Sequence, residues 1–374
     1  MRIIQIESQV EKAKVEHGIW IVVIAWLAVN LSIYFLFGIQ TGLESKKYIK
    51  EALLLIETGS LSELRYHFYF GIIGILYTVK LLGLGLKSAI GIQLILSLSA
   101  HLYLYEGLKK TTSNNKSIYA LVLIILAPSF EYWNWTLYSE SIFFSAILFF
   151  IGSCIRSKPS ASKIIFSQGL LLGFCIISRP SGVLLAIPWI LYVIQTNYKY
   201  WSWRIAAPYL IAGGAVLIVI SNAILGTISD WNVMDPFTKG FVVCNISEYT
   251  QDRRFSLTAT TPIGQLIEFT SRYPSDFLNL SFQKLFAFFI QYRTYYSQTH
   301  NIYIITYSAL TLSLFLRSIC LKPIYSPLTT LFYSTITLWT FSIIFQCDDY
   351  HSRFYNSIIP VMIIVGLRIK KVTI

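Results

Sequence analysis

The sequence predicts an all-α, polytopic membrane protein: a bundle of about ten transmembrane helices with shorter juxtamembrane helices along its outer face. Three observations carry that reading. Hydrophobic residues make up 55% of the 374 residues and charged residues only 13%, whereas a soluble domain carries about 25% charged residues to cover its surface in water. Apolar runs recur along the whole chain, and ~20 such residues let a helix cross the hydrocarbon core. Aromatics reach 16%, many of them flanking those runs, where amphipathic rings anchor helices at headgroup level. The chain reads as a single transmembrane domain over 1–374.

The runs long enough to span, or nearly so, are 19–37, 88–106, 117–130, 141–155, 164–178, 182–194, 205–225, 301–316, 328–345 and 357–365. The shorter ones must take in flanking Tyr, Trp or Ser. Lys12 and Lys14 precede the first run, but no small-residue cleavage site follows it, so a retained span is expected rather than a signal peptide. The apolar segment 66–85 decides the parity of everything after it. Read as a helix lying at the outer face, it puts Lys109/Lys110/Lys116, Arg156/Lys158/Lys163, Lys199/Arg204, Arg317/Lys322 and Arg368/Lys370/Lys371 on the cytoplasmic side. Every short loop then obeys the positive-inside rule, and both termini are cytoplasmic. The expected location is a cell membrane, the inner or plasma membrane of a bacterium.

Outside, this leaves the long segments 41–87 and 226–300 and the short ones 131–140 and 346–354. The apolar spacing over 276–289 predicts an amphipathic helix on the outer leaflet. The net charge of +12 resides in helix-end Lys and Arg rather than in a basic domain, which argues against a nucleic-acid partner. Five cysteines form no CxxC, so neither a zinc nor a redox motif is indicated. Cys244 and Cys347 both fall outside, where a disulfide is permitted. His67, His101 and His300 stand alone in sequence and read as polar packing or interface residues. Asn134-Trp-Thr, Asn245-Ile-Ser and Asn279-Leu-Ser match the glycosylation triplet, which matters only in a secretory-pathway host.

Ionisable groups near a bilayer are costly and mark sites, and here Glu44, Lys46, Lys47, Glu51, Glu140, Arg179, Asp348, Asp349 and Arg353 collect on one face. Three strings stand out. Glu44 follows the first run, with Tyr48 and Ala52 at four-residue steps; Tyr138-Ser139-Glu140-Ser141 opens a later span; and Asp348-Asp349-Tyr350-His351-Ser352-Arg353-Phe354-Tyr355 precedes the last one, which holds Pro360. Between them lie Ser178-Arg179-Pro180-Ser181-Gly182, a helix break made by Pro and Gly, and Tyr273-Pro274 with Phe277 and Lys284-Leu285.

In order and spacing these strings resemble the motifs of the GT-C superfamily of membrane glycosyltransferases. The similarity is to its polyprenyl- or dolichyl-phosphate-mannose mannosyltransferase-like (glycosyltransferase family 39-like) members. The chain departs in carrying Glu44 where the family usually has Asp. The resemblance implies transfer of a sugar, with inversion, from a polyprenyl-phosphate donor to a glycan, lipid or protein acceptor at the outer face. It assigns Glu44 as base and Glu140 as a supporting carboxylate, and it implies substrate contacts at Tyr48, Arg179, Lys284, Asp349, Tyr350 and Arg353. A guanidinium suits a phosphate because it makes paired, charge-assisted hydrogen bonds. Two carboxylates sharing one pocket would repel, and the repulsion would sharpen the basicity of one. No cofactor is required; a divalent metal is compatible, but no His-rich or Asp-rich spacing demands one. The rival readings are a lipid-linked saccharide flippase or transporter, expected to carry charges inside several spans, and a polysaccharide polymerase.

Overall fold

A computed structural model describes residues 2–197, 207–208, 211, 213–215, 234–244, 255–321, 326–347 and 351–367. The expected span 205–225 lies almost wholly outside the described residues, as do Asn245, Asp348, Asp349 and Tyr350. Among the described residues all regular structure is helical: α1 (Arg2–Phe37), α2 (Glu44–Thr58), α3 (Phe70–Leu81), α4 (Leu86–Lys109), α5 (Asn114–Ile125), α6 (Ser139–Arg156), α7 (Ser162–Ser178), α8 (Ala186–Asn197), α9 (Pro262–Arg272), α10 (Pro274–Ile290), α11 (Gln298–Cys320), α12 (Pro327–Ile344) and α13 (Arg353–Gly366). Short 3₁₀ turns cover Leu64–Tyr69, Glu131–Trp135 and Pro180–Leu185.

Among the described residues five helices are long and apolar enough to cross a membrane: α1 from His17 onward, α4, α6, α11 and α12; α7 and α13 are shorter apolar helices. The expected run 117–130 does not form one helix. α5 stops at Ile125 after 12 residues, because Pro128 follows and Ser129 takes a left-handed φ of 61°. The segment 66–85 yields α3, also 12 residues long. At 1.5 Å per residue it reaches about 18 Å, well short of the ~30 Å hydrocarbon core.

α6 is the axis of the bundle, buried over 89% of its length, whereas the apolar part of α1, within His17–Phe37, is 17% buried. α1 turns Trp20, Ile24, Leu31 and Phe35 outward, as a helix bordered by lipid would. α4 packs closely on α6 because Gly152 has no side chain: a Cβ there would lie 2.8 Å from Tyr103 Cδ1. α10 has two apolar faces rather than one. Leu278, Phe282 and Phe286 are exposed at four-residue steps, while Leu280, Lys284 and Phe288 face inward.

Cys244 and Cys347 form a disulfide, with Cα atoms 5.1 Å apart across 103 residues of chain. Cys154 and Cys175 are buried thiols and Cys320 is exposed. Alkylation of the denatured chain with and without reductant, read by mass spectrometry, should therefore label three cysteines unreduced and five reduced. Five labels without reductant would exclude the bridge.

Candidate functional site

Four side chains from four distant stretches meet at one end of the bundle. Glu140 is in the first turn of α6, where the helix N-terminus favours an anion, and it is fully buried. Arg179, the residue that ends α7, donates from Nη1 to Glu140 Oε1. Arg353, the first residue of α13, donates from Nη1 to the same oxygen at 2.6 Å and to Glu44 Oε2 at 3.1 Å. Glu44 opens α2 and is the most open of the four, its side chain 40% exposed. The guanidinium of Arg353 also lies over the rings of Trp133 (5.2 Å) and Tyr138 (5.8 Å), and that of Arg179 over Phe354 (5.4 Å).

Local structure aims these groups. The residues before Glu44 and Arg353 both have left-handed backbones: Leu43 at φ 50° and Ser352 at φ 56°. Neither is glycine, so each turn stores about 1–3 kcal/mol of strain that the surrounding contacts must hold. Tyr138 does so for Glu44, its hydroxyl accepting from Glu44 N and donating to Gly42 O, both at 3.3 Å. Gln291 does so for Arg353, accepting a 2.5 Å hydrogen bond from Ser352 Oγ. On the α7 side, Gly182 is essential to the turn after Arg179, since a Cβ there would sit 2.4 Å from Cys175 O.

The two carboxylates do not confront each other bare. The Arg353 guanidinium bridges the two, and that of Arg179 adds a second positive charge on Glu140, so opposite charges oppose the mutual repulsion expected from the sequence. Tyr48 packs beside this centre, its ring 5.4 Å from that of Tyr69, and burial holds its hydroxyl well above the ordinary range. Tyr69, which the sequence did not single out, is pushed up to about 12, chiefly by burial. Both are thus hydrogen-bond donors at neutral pH.

Lys284 does not join the four. It is fully buried, its Nζ 4.1 Å from the Phe237 ring centroid and 3.4 Å from Ile344 O, and desolvation lowers it to about 7. Asp349 and Tyr350 lie outside the described residues. Among those described, no three His, Cys, Asp or Glu side chains gather as a metal site.

One polar cluster escaped the sequence reading. His101 of α4 is not alone: its Nε2 faces Glu131 Oε1 at 3.2 Å, both residues essentially unexposed. Glu131 Oε2 accepts from Asn134 Nδ2 (2.6 Å), Asn30 Nδ2 (3.0 Å) and Ser97 Oγ (3.2 Å). Asn134 is therefore buried in hydrogen bonds and is no glycosylation acceptor. Thirty residues part His101 from Glu131, so no local spacing signals the pair.

Removing one member of a buried ion cluster costs about 3–5 kcal/mol, whereas an exposed pair contributes about 0–1 kcal/mol. Glu140→Ala should therefore lower the thermal unfolding midpoint clearly, and Glu44→Gln hardly at all. Lys284→Met gives a pH signature. The folded chain holds Lys284 near 7 while the unfolded chain protonates it up to about 10.4. The burial penalty is thus full below pH 7 and fades as pH rises toward 10. The Met variant should gain most stability at pH 6 and little at pH 10; equal gains would contradict this. No protein-family model, curated protein or solved structure matches the chain.

Proposed function

We propose that the protein is a membrane glycosyltransferase that moves a sugar from a polyprenyl-phosphate carrier to an acceptor at the extracytoplasmic face. The observation that carries this reading is the meeting of Glu44, Glu140, Arg179 and Arg353, which the motif resemblance had assigned to one site across 309 residues of chain. The reading includes about ten spans, cytoplasmic termini and a cell membrane. Arg156, at the far end of α6, lies about 24 Å along the helix from Glu140, which suits a basic cytoplasmic side and an acidic outer site. The Cys244–Cys347 bridge suits an oxidising compartment beyond the membrane.

In this reading the donor phosphate engages Arg353 and draws it from Glu44, leaving that carboxylate free at the open edge of the centre. The acceptor hydroxyl attacks the anomeric carbon from the face opposite the phosphate. As the new C–O bond forms, the hydroxyl proton passes to Glu44. The bond between the anomeric carbon and the phosphate oxygen breaks, and its electron pair leaves with the polyprenyl phosphate. Glu140, clamped by Arg179, stays fixed and keeps Arg353 in place. An open apolar cavity of about 430 Å³ beside α10, lined by Phe282, Phe286, Ala287 and Ile290, offers room for part of an isoprenoid tail.

The buried His101–Glu131 pair is the observation that favours the transporter alternative, since transporters carry ionisable groups inside their spans. Such groups must line a path, however, and these two belong to one closed hydrogen-bonded cluster.

The test is genetic and chemical. Lipid-linked saccharides and surface glycans of a strain lacking the protein should differ from the parent by mass spectrometry: a donor accumulates and a glycan loses a sugar. The wild-type gene should restore the pattern, and Glu44→Gln, expressed at the same level, should not. Full restoration by Glu44→Gln would sink the base assignment.

A further inference from the structure

Residues 131–139 touch the ionic centre at several points. Glu140 directly follows this segment, and Trp133 and Tyr138 supply the rings under Arg353. Tyr138 holds the backbone before Glu44. Gln40 pairs with Thr136 as a single parallel bridge, through Gln40 N to Trp135 O at 2.9 Å and Leu137 N to Gln40 O at 3.4 Å. A segment of nine residues with one short 3₁₀ turn has little stiffness of its own, so something else must hold it.

What holds it is the buried cluster. Glu131 and Asn134 reach from the segment to Asn30 on α1 and Ser97 on α4. Trp26 Nε1 donates to Ser97 Oγ at 3.0 Å, and Ser141 of α6 donates to Asn134 Oδ1 at 2.6 Å. His101 completes it. Its Nδ1 faces Ser97 O at 2.8 Å, and a carbonyl accepts only, so that nitrogen carries a proton. Among the described residues its Nε2 and Glu131 Oε1 face each other with no other hydrogen-bond partner. Two bare acceptors at this distance in a buried setting would repel, so the contact calls for one further proton between them. The cluster is then closed and neutral as a unit, the condition under which a buried polar network rigidifies its surroundings.

We infer that Glu131 and His101 form a proton-sharing positioning centre that sets Trp133, Tyr138 and the Glu44 loop, and through them the ligand-binding geometry of Arg353. Its mechanical part stands on geometry alone; its effect on ligand rests on the transferase reading above. Glu131→Gln can keep every bond, its oxygen accepting from Asn30, Ser97 and Asn134 and its amide donating to His101 Nε2. Glu131→Leu removes them all.

The test uses the full chain in lipid nanodiscs and two readouts. Hydrogen exchange by mass spectrometry should show Glu131→Leu exchanging faster over 38–45 and 131–139, with the body of α6 and all of α7 unchanged, and Glu131→Gln resembling the parent. Faster exchange everywhere would reduce the cluster to general packing, and no change over 38–45 would break the link; either overturns the inference. If the Leu variant does not fold, Ser141→Ala, which removes only the tie to Asn134, should raise exchange over 131–139, and a silent result there would also overturn it. The second readout is binding of C55 polyprenyl monophosphate by native mass spectrometry, expected to weaken at least tenfold in Glu131→Leu and to return in Glu131→Gln. Unaltered binding in a variant with altered exchange would refute the effect on ligand. Arg353→Ala separates the two ideas: if it binds the lipid phosphate as the parent does, the transferase reading fails while the exchange result still judges the positioning centre.

Discussion

Arg353 Nη1 reaches two carboxylates at once, Glu140 at 2.6 Å and Glu44 at 3.1 Å, and much of the molecule exists to make that reach possible. A cation with two anions needs a second cation if the group is to be buried without a large electrostatic penalty, and Arg179 supplies it from the end of α7. The arrangement joins α2, α6, α7 and α13 at one point. It also divides the labour of the two acids. Glu140, sealed beneath both guanidiniums, is structural in its energetics. Glu44, held by one bond and open to its surroundings, can change partner at little cost.

That asymmetry has a chemical consequence. A carboxylate bonded to a guanidinium is not free to take a proton from a substrate until that bond is released. In the proposed transferase, a ligand phosphate that competes for Arg353 would free the carboxylate to act as a base only when the substrate is present. The strained turns at Leu43 and Ser352 fit the same logic, since they fix where the two partners start and leave the side chains to move.

Much of this could be read from the sequence, for identifiable reasons. Membrane embedding follows from composition and run length, quantities that need no knowledge of packing. Glu44, Glu140, Arg179 and Arg353 were legible because each sits at a helix boundary marked by Pro, Gly or a change from polar to apolar residues. The helix count was less so: Pro128 and the turn at Ser129 cut short a run that hydropathy joins. Lys284 lay in a recognisable pattern, yet which face of α10 it occupies depends on Phe237 and α12 packing against it. The His101–Glu131 pair was invisible, because nothing local connects a histidine within one helix to a glutamate in a turn two elements later. Tertiary contact alone makes them partners.

The 309-residue separation of Glu44 from Arg353 bears on how the protein is made. At ~5–20 residues per second, a ribosome needs roughly a quarter of a minute to a minute to add that stretch. Glu44 exists throughout this interval and Glu140 from 96 residues into it, while the arginine that joins them has yet to be made. Arg179 is only 39 residues from Glu140, so the α6–α7 hairpin can enter the bilayer with its acid already neutralised. α13, which brings Arg353, then joins Glu44 to an acid that was already neutralised when it was inserted.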